Sequence, residues 1–223
     1  LADNSTGASN TSVGKRALKS NTTAANNTAV GYHALEENTT GSSNIAVGGL
    51  ALSANTTAAQ NTAVGYNCLR DNTTGASNVA MGEGAQIQST TAAQNVAIGR
   101  KALFGNTTGG GNVAVGFEAG DTITTGTGNT TIGNLADVSQ AAAVNRIALG
   151  NQVSCASNNR ITVGAGGTVA SLEIDGSDTS WAASSDLRLK KDVADSTVGL
   201  NFIKALRPVT FKWNAKDAIA NTL

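Results

Sequence analysis

The chain has 223 residues, and its 15 Lys and Arg balance its 15 Asp and Glu, so the net charge is zero; only 13% of residues are charged. There is no basic field to hold nucleic acid or anionic lipid, and no stretch reaches the roughly 18 consecutive apolar residues of a membrane helix; neither nucleic acid nor membrane insertion is expected. With 4% aromatics, 26 Gly and one Pro (Pro208), the core must come from Val, Ile, Leu and Ala, and so thin a core favours association with further chains.

The chain opens at Leu1 without a signal-type run and reads as a piece of a longer polypeptide. A metre follows at once. Gly14, Gly31, Gly48, Gly65, Gly82, Gly99, Gly116, Gly133 and Gly150 are spaced by 17 residues, and Gly164 comes after a shorter step of 14. Each closes a phrase such as NTAVG, NVAIG or RIALG. A fixed period of this length predicts a solenoid, each repeat covering the face of the next.

Within a repeat, the run Thr62, Ala63, Val64, Gly65 alternates larger and smaller side chains, the period of a strand with two unlike faces. Val64 shares a column with Val13, Val30, Val47, Met81, Ile98, Val115, Ile132 and Leu149. We expect this branched column to fill the coil interior, and the Ala63 and Gly65 columns to face neighbouring subunits. A second short element follows at Ala17-Leu18 and its equivalents. The remainder is turn chemistry: Asn-Thr-Thr recurs at 21–23, 38–40, 55–57, 72–74 and 106–108, where Asn and Thr side chains can bond nearby backbone or stack into ladders. Asn10, Asn27, Asn44, Asn61, Asn78, Asn95, Asn112 and Asn129 form a second Asn column. The Asn-X-Thr triplets match glycosylation acceptors, but their period reads as turns.

Cys68 occupies an alanine column, and Cys155 lies about five coils on, roughly 24 Å at about 4.8 Å per strand. That is beyond disulfide reach, so both read as packing thiols. His33, on a variable column with Arg16, Leu50, Asn67 and Lys101, reads as a solvent-facing filler. No cofactor or metal site is expected. The exposed variable columns offer Tyr32, His33, Tyr66, Arg70, Arg100, Lys101 and Phe117 as candidate contacts to a receptor. Glu36, Glu37, Asp71, Glu83 and Glu118 fall on surface columns and make no paired-carboxylate cleft. The Thr columns raise ice binding as a reading, which needs a flat exposed array; the flanking Asn and Gly suit turns better.

The repeat resembles the head domains of trimeric autotransporter adhesins, whose motif reads like NxVAIGxxA, over about residues 8–166. That resemblance implies a homotrimeric parallel β-roll, with longer turns here than in those heads. The same repeat type occurs in bacteriophage tail fibres.

After Gly164 the composition shifts. A strand is expected at Val169–Ile174, then a Gly/Ser/Asp turn and Trp181. The segment SSDLRLKKDV (184–193) is the densest charge cluster and on charge alone reads as a solvated basic turn. Ser196–Leu206 reads as a short helix stopped by Pro208, and Val209, Phe211 and Trp213 alternate as a strand. With Ser185-Asp186, Arg188-Leu189-Lys190 and LNFIKALRPVTFKW at 200–213, residues 184–213 resemble the start of the intramolecular chaperone that ends many phage tail spikes, fibres and endosialidases. The resemblance implies that this domain helps three chains assemble and then cuts itself off between Ser185 and Asp186. Ser185 would be the nucleophile and Lys190 the base, its amine made neutral by burial. Arg188 and Lys191 have no assigned role.

The expectation is therefore an all-β chain: a parallel β-solenoid shaft over 1–166, a connecting strand and linker over 167–185, and a small α+β start of a chaperone domain over 186–223. Its function would be a structural and host-attachment segment of a homotrimeric bacteriophage tail fibre, extracellular on the virion. Its partners would be two identical chains, other tail proteins and a host surface glycan or protein. Enzyme activity would be at most a single-turnover self-cleavage by Ser185 and Lys190. The alternative is the head of a trimeric bacterial surface adhesin.

Overall fold

A computed structural model describes residues 3–176 and 182–183, so the helix and strand expected within 196–213 lie outside the described residues. The described residues contain no helix and form a parallel β-solenoid of about nine turns. Eight three-residue strands, β1 (Thr11–Val13), β2 (Thr28–Val30), β3 (Ile45–Val47), β4 (Thr62–Val64), β5 (Val79–Met81), β6 (Val96–Ile98), β7 (Val113–Val115) and β8 (Thr130–Ile132), stack in sequence order. β9 (Asp137–Val138) leaves that stack and pairs in a separate two-stranded sheet with β11 (Ser154–Cys155). The main sheet continues through β10 (Arg146–Leu149) to β12 (Arg160–Ala165), then turns back antiparallel through β13 (Thr168–Glu173) and β14 (Ala182–Ala183).

The register is the metre made physical. Thr11 pairs with Thr28 and Ala46 with Ala63, one repeat apart, while Arg146 pairs with Arg160 across the shorter step. The metric glycines are held there by two constraints at once. From Gly14 to Gly133 they take φ between 127° and 142°, a region closed to side chains. A Cβ on any of them would also collide with the backbone of the glycine one coil on. The strand expected at 169–174 appears as β13, shifted by one residue.

One expectation is reversed. The Ala column (Ala29, Ala46, Ala63, Ala80, Ala97, Ala114) is fully buried, whereas the branched column is open, with Val13 57%, Met81 43% and Ile132 43% exposed. The coil is thin, and its interior already holds Leu18, Leu35, Leu52, Leu69 and Leu103 with the neighbouring Ala17, Ala34, Ala51, Cys68 and Ala102. Beneath β2 to β7 the space is filled by a methyl group, so alanine points inward and the branched residues on either side point out.

The expected second element is a turn in the regular coils, and each turn leucine has a left-handed backbone, φ 48° to 50° for Leu18, Leu35, Leu52, Leu69 and Leu103. That conformation costs about 1–2 kcal/mol, while burying the side chain returns about 1.5–3 kcal/mol. Burial wins, and Leu is kept where turn chemistry alone would choose Gly.

Buried amides do the rest. In the Asn27 column each Oδ1 accepts the backbone N–H of the Asn one coil on, as Asn27 does from Asn44 (2.8 Å) and Asn112 from Asn129 (3.0 Å). Each Nδ2 donates to a turn carbonyl, as Asn44 does to Ala58 (2.8 Å). In the other column the amides bond one another: Asn38 Nδ2 donates to Asn21 Oδ1 and Asn55 Nδ2 to Asn38 Oδ1, at 3.1 and 2.8 Å. These are the ladders expected from the Asn columns. Asn21, Asn38, Asn55, Asn72 and Asn106 are fully buried, in keeping with turns and not with sugar acceptors.

Candidate functional site

Three regions carry the functional expectations: the outer strand face, the variable turn columns, and the segment that begins at Ser185. Ser185, Asp186 and Lys190 lie outside the described residues.

The outer face of the sheet is two columns wide. Ile45, Val47, Val79, Met81, Ile98, Ile132 and Val163 are each 36% to 44% exposed. In one column Ile45 and Val79 alternate with the half-buried Thr28 and Thr62, with Thr130 further along, while the other column is apolar throughout. Stacked over eight strands, the stripe runs for roughly 35 Å at 4.7–4.9 Å per strand. Monomeric proteins rarely leave so continuous an apolar surface uncovered.

On the turn columns most charges are already paired. Arg16 reaches Glu36 at 2.5 Å, and His33 Nδ1 contacts the same carboxylate. Arg70 clasps Asp71 at 2.7 and 2.8 Å, Arg100 lies 3.5 Å from Glu83, and Lys101 lies 3.6 Å from Glu118. Arg100 also sits 5.4 Å over the Phe117 ring and Lys101 5.5 Å over Phe104. His33 differs from its expected solvent-facing place. Its side chain is mostly covered, with the Tyr32 ring 3.8 Å away between centroids and Nε2 shielded without a hydrogen-bond partner. Of the expected contacts, Tyr32 and Tyr66 are the most open, at 52% and 55% exposed. The first threonine of each pair is committed to the wall: Thr22, Thr39, Thr56 and Thr73 donate Oγ1–H to carbonyls one coil on.

Both cysteines are free and buried. Burial pushes the Cys68 thiol up to about 12, so it stays protonated and unreactive near neutral pH.

Two features escaped sequence reasoning. Arg146 stands where the Asn column would continue, and its guanidinium is buried. It donates to Asn158 Oδ1 (2.8 Å), Ser139 Oγ (2.9 Å), Gln140 Oε1 (2.9 Å) and the Cys155 carbonyl (3.1 Å). The signal was present, since position 146 breaks an eight-member Asn series. The second is Asp137, whose carboxyl burial pushes up to about 6, with Asp121 beside it adding in the same direction. Nothing in the metre marks that pair, because Asp121 and Asp137 are 16 residues apart. Among the described residues no three metal-ligating side chains cluster.

With this geometry in place, the comparisons bear on the last segment. Residues 185–222 match the family model described as chaperone of endosialidase. A parallel β-solenoid followed directly by that match fits a phage tail fibre with a C-terminal intramolecular chaperone. No curated protein and no solved structure matches the chain.

Proposed function

We propose that this chain is a shaft and host-attachment segment of a homotrimeric bacteriophage tail fibre, and that its chaperone segment releases itself after assembly. The observation that carries the reading is the chaperone-of-endosialidase match at 185–222, which follows the solenoid in the sequence.

The open strand face supports the homotrimer. In each chain a column of Val, Ile and Met looks outward while the core is already filled by Ala and Leu. Covering that stripe with the same stripe of two further chains would complete a core that one coil is too thin to provide. Other tail proteins would hold the rod in the virion, and its variable columns would meet a host glycan or protein.

Self-cleavage would use Ser185 as nucleophile. Lys190, neutral when desolvated, would take the hydroxyl proton. Ser185 Oγ would attack its own carbonyl carbon, and the Ser185–Asp186 C–N bond would break with the proton passing from Lys190 to the Asp186 amine. Water would hydrolyse the resulting ester to leave a carboxyl group and a free hydroxyl on Ser185. Denaturing mass spectrometry of the full-length gene product beside its Ser185→Ala variant tests this. We expect the wild type to lose everything from Asp186 onward and the variant to stay whole. If both remain whole after assembly, the releasing chaperone is refuted.

A further inference from the structure

The residue after each metric glycine runs Lys15, Tyr32, Gly49, Tyr66, Glu83, Arg100, Phe117. This column accepts almost any side chain, so the coil itself does not require tyrosine there. Tyr32 and Tyr66 stand two coils apart, about 9–10 Å at 4.7–4.9 Å per strand, and the coil between them is bare.

Gly49 makes that coil a seat. A Cβ added to it would stand 3.3 Å from Tyr66 Cδ2 and 3.6 Å from Cε2, so an edge of the Tyr66 ring rests over the glycine while the ring stays 55% exposed. Tyr32 leans on His33 at an interplanar angle of 43°, and His33 is fixed in turn by Glu36. Arg70 and Asp71 form a closed fork in the Tyr66 coil. Two rings are thus held in fixed places on a surface whose charges are matched locally.

We propose that Tyr32, Gly49 and Tyr66 form a stacking platform for a neutral oligosaccharide of at least two sugar rings, with Arg70 and Asp71 as partners for its hydroxyls. A pyranose has an apolar C–H face and a rim of hydroxyls, which suits a tyrosine with an apolar body and a polar tip. Arg70 pairs with Asp71 and Arg16 with Glu36, and Lys15 lies 5.9 Å over the Tyr32 ring, so the site offers no cluster of unpaired charge to an ionic ligand. A folded protein partner needs an interface of about 800 Å² per side, and two rings around a glycine within a polar rim fall far short of that. Pre-fixed rings also lower the ordering cost that a weak ligand must meet.

The proposal rests on the host-attachment reading and names the ligand class for it. The test is saturation-transfer NMR of the whole chain with maltohexaose, cellohexaose and chitohexaose, followed by titration with whichever binds. We expect transfer to at least one of the three. Tyr66→Ala should weaken it about tenfold, equivalent to about 1.4 kcal/mol. Gly49→Val, which displaces the ring, should do the same. Circular dichroism melts check that each variant is folded. Absence of transfer to all three sugars overturns the proposal, as does unchanged affinity in a Tyr32→Ala/Tyr66→Ala variant. The fibre reading stands or falls separately, because trimer mass and cleavage at Ser185 do not involve these tyrosines.

Discussion

The regular coils, from β1 to β7, and the closing coils, from β8 to β12, solve the same problem with different chemistry. In the regular coils, the coil of Gln86 and Ser89 aside, a buried Asn meets copies of itself in the coils above and below, so a short neutral amide such as Asn61 suffices. It donates to the Gly75 carbonyl at 2.9 Å and accepts the Asn78 N–H at 2.9 Å. In the closing coils the repeat shortens and the copies end. There Arg146 takes the Asn place and reaches four acceptors on two stretches, 139–140 and 155–158, and β9 and β11 form a sheet where the earlier coils have only turns. Translation supplies partners in one region; a long cationic side chain gathers them in the other.

The comparison can be broken most sharply at Arg146. Arg146→Met removes four charge-assisted bonds and takes a donor from the buried Cys155 carbonyl, and should cost about 3–5 kcal/mol. Hydrogen exchange should show the loss first in β9, β10 and β11, with β2 to β5 still protected. Asn61→Ala is the counterpart in the regular coils. It orphans one carbonyl and one N–H, for about 2–4 kcal/mol, and thermal melts should show the rod losing stability around β4 and β5.

A smaller effect belongs to the closing coils alone. Asp137 is raised from 3.8 to about 6, so between those values the folded state binds more protons than the unfolded one. Stability should therefore fall as pH rises from about 4 to 6 and stay lower above that. The effect is at most about 2 kcal/mol after allowing for the partial solvent access of the carboxyl. Asp137→Asn should remove that slope and raise the pH 7 melting temperature. A melting profile that is flat from pH 4 to 7 in the wild type contradicts the assignment.

The smallest effect sharpens the comparison from inside the regular region. At one coil the ladder is broken: Ser89 replaces Asn and Gln86 replaces Leu. Gln86 Nε2 reaches Ser89 Oγ and Asn78 Oδ1 at 3.4 Å, and the buried Asn72 Oδ1 and Gln86 Oε1 have no partner. Restoring the pattern with Gln86→Leu and Ser89→Asn together should stabilise the rod by about 1–2 kcal/mol, read as a higher melting temperature. The single Ser89→Asn change should give less, since Gln86 already fills part of that space.

Much of this was legible because stacking converts sequence period into spatial register. The glycine metre placed β1 to β8, and the Asn series marked both ladders. The direction of the strand faces was not legible. A period of two separates Ala63 from Val64 but does not say which looks inward. That choice is set by Leu52 and Leu69 filling the coil from the turn side, in left-handed conformations that propensity disfavours. Arg146 was visible only as an interruption, and Asp137 not at all, since its environment depends on the shortened last coils. At the carboxyl end the motif at 184–213 led to the chaperone resemblance, and the family match covers 185–222. The roles of Ser185, Asp186 and Lys190 rest on that resemblance.

The measurement that tests the account most directly is sedimentation equilibrium of the chain beside a Val47→Glu/Ile98→Glu variant, which places charge on the open strand face. The account predicts three chain masses for the wild type, with the variant dissociated into monomers. A wild type that sediments as a folded monomer at micromolar concentration, or a variant that stays trimeric, would contradict the claim that this face joins the copies.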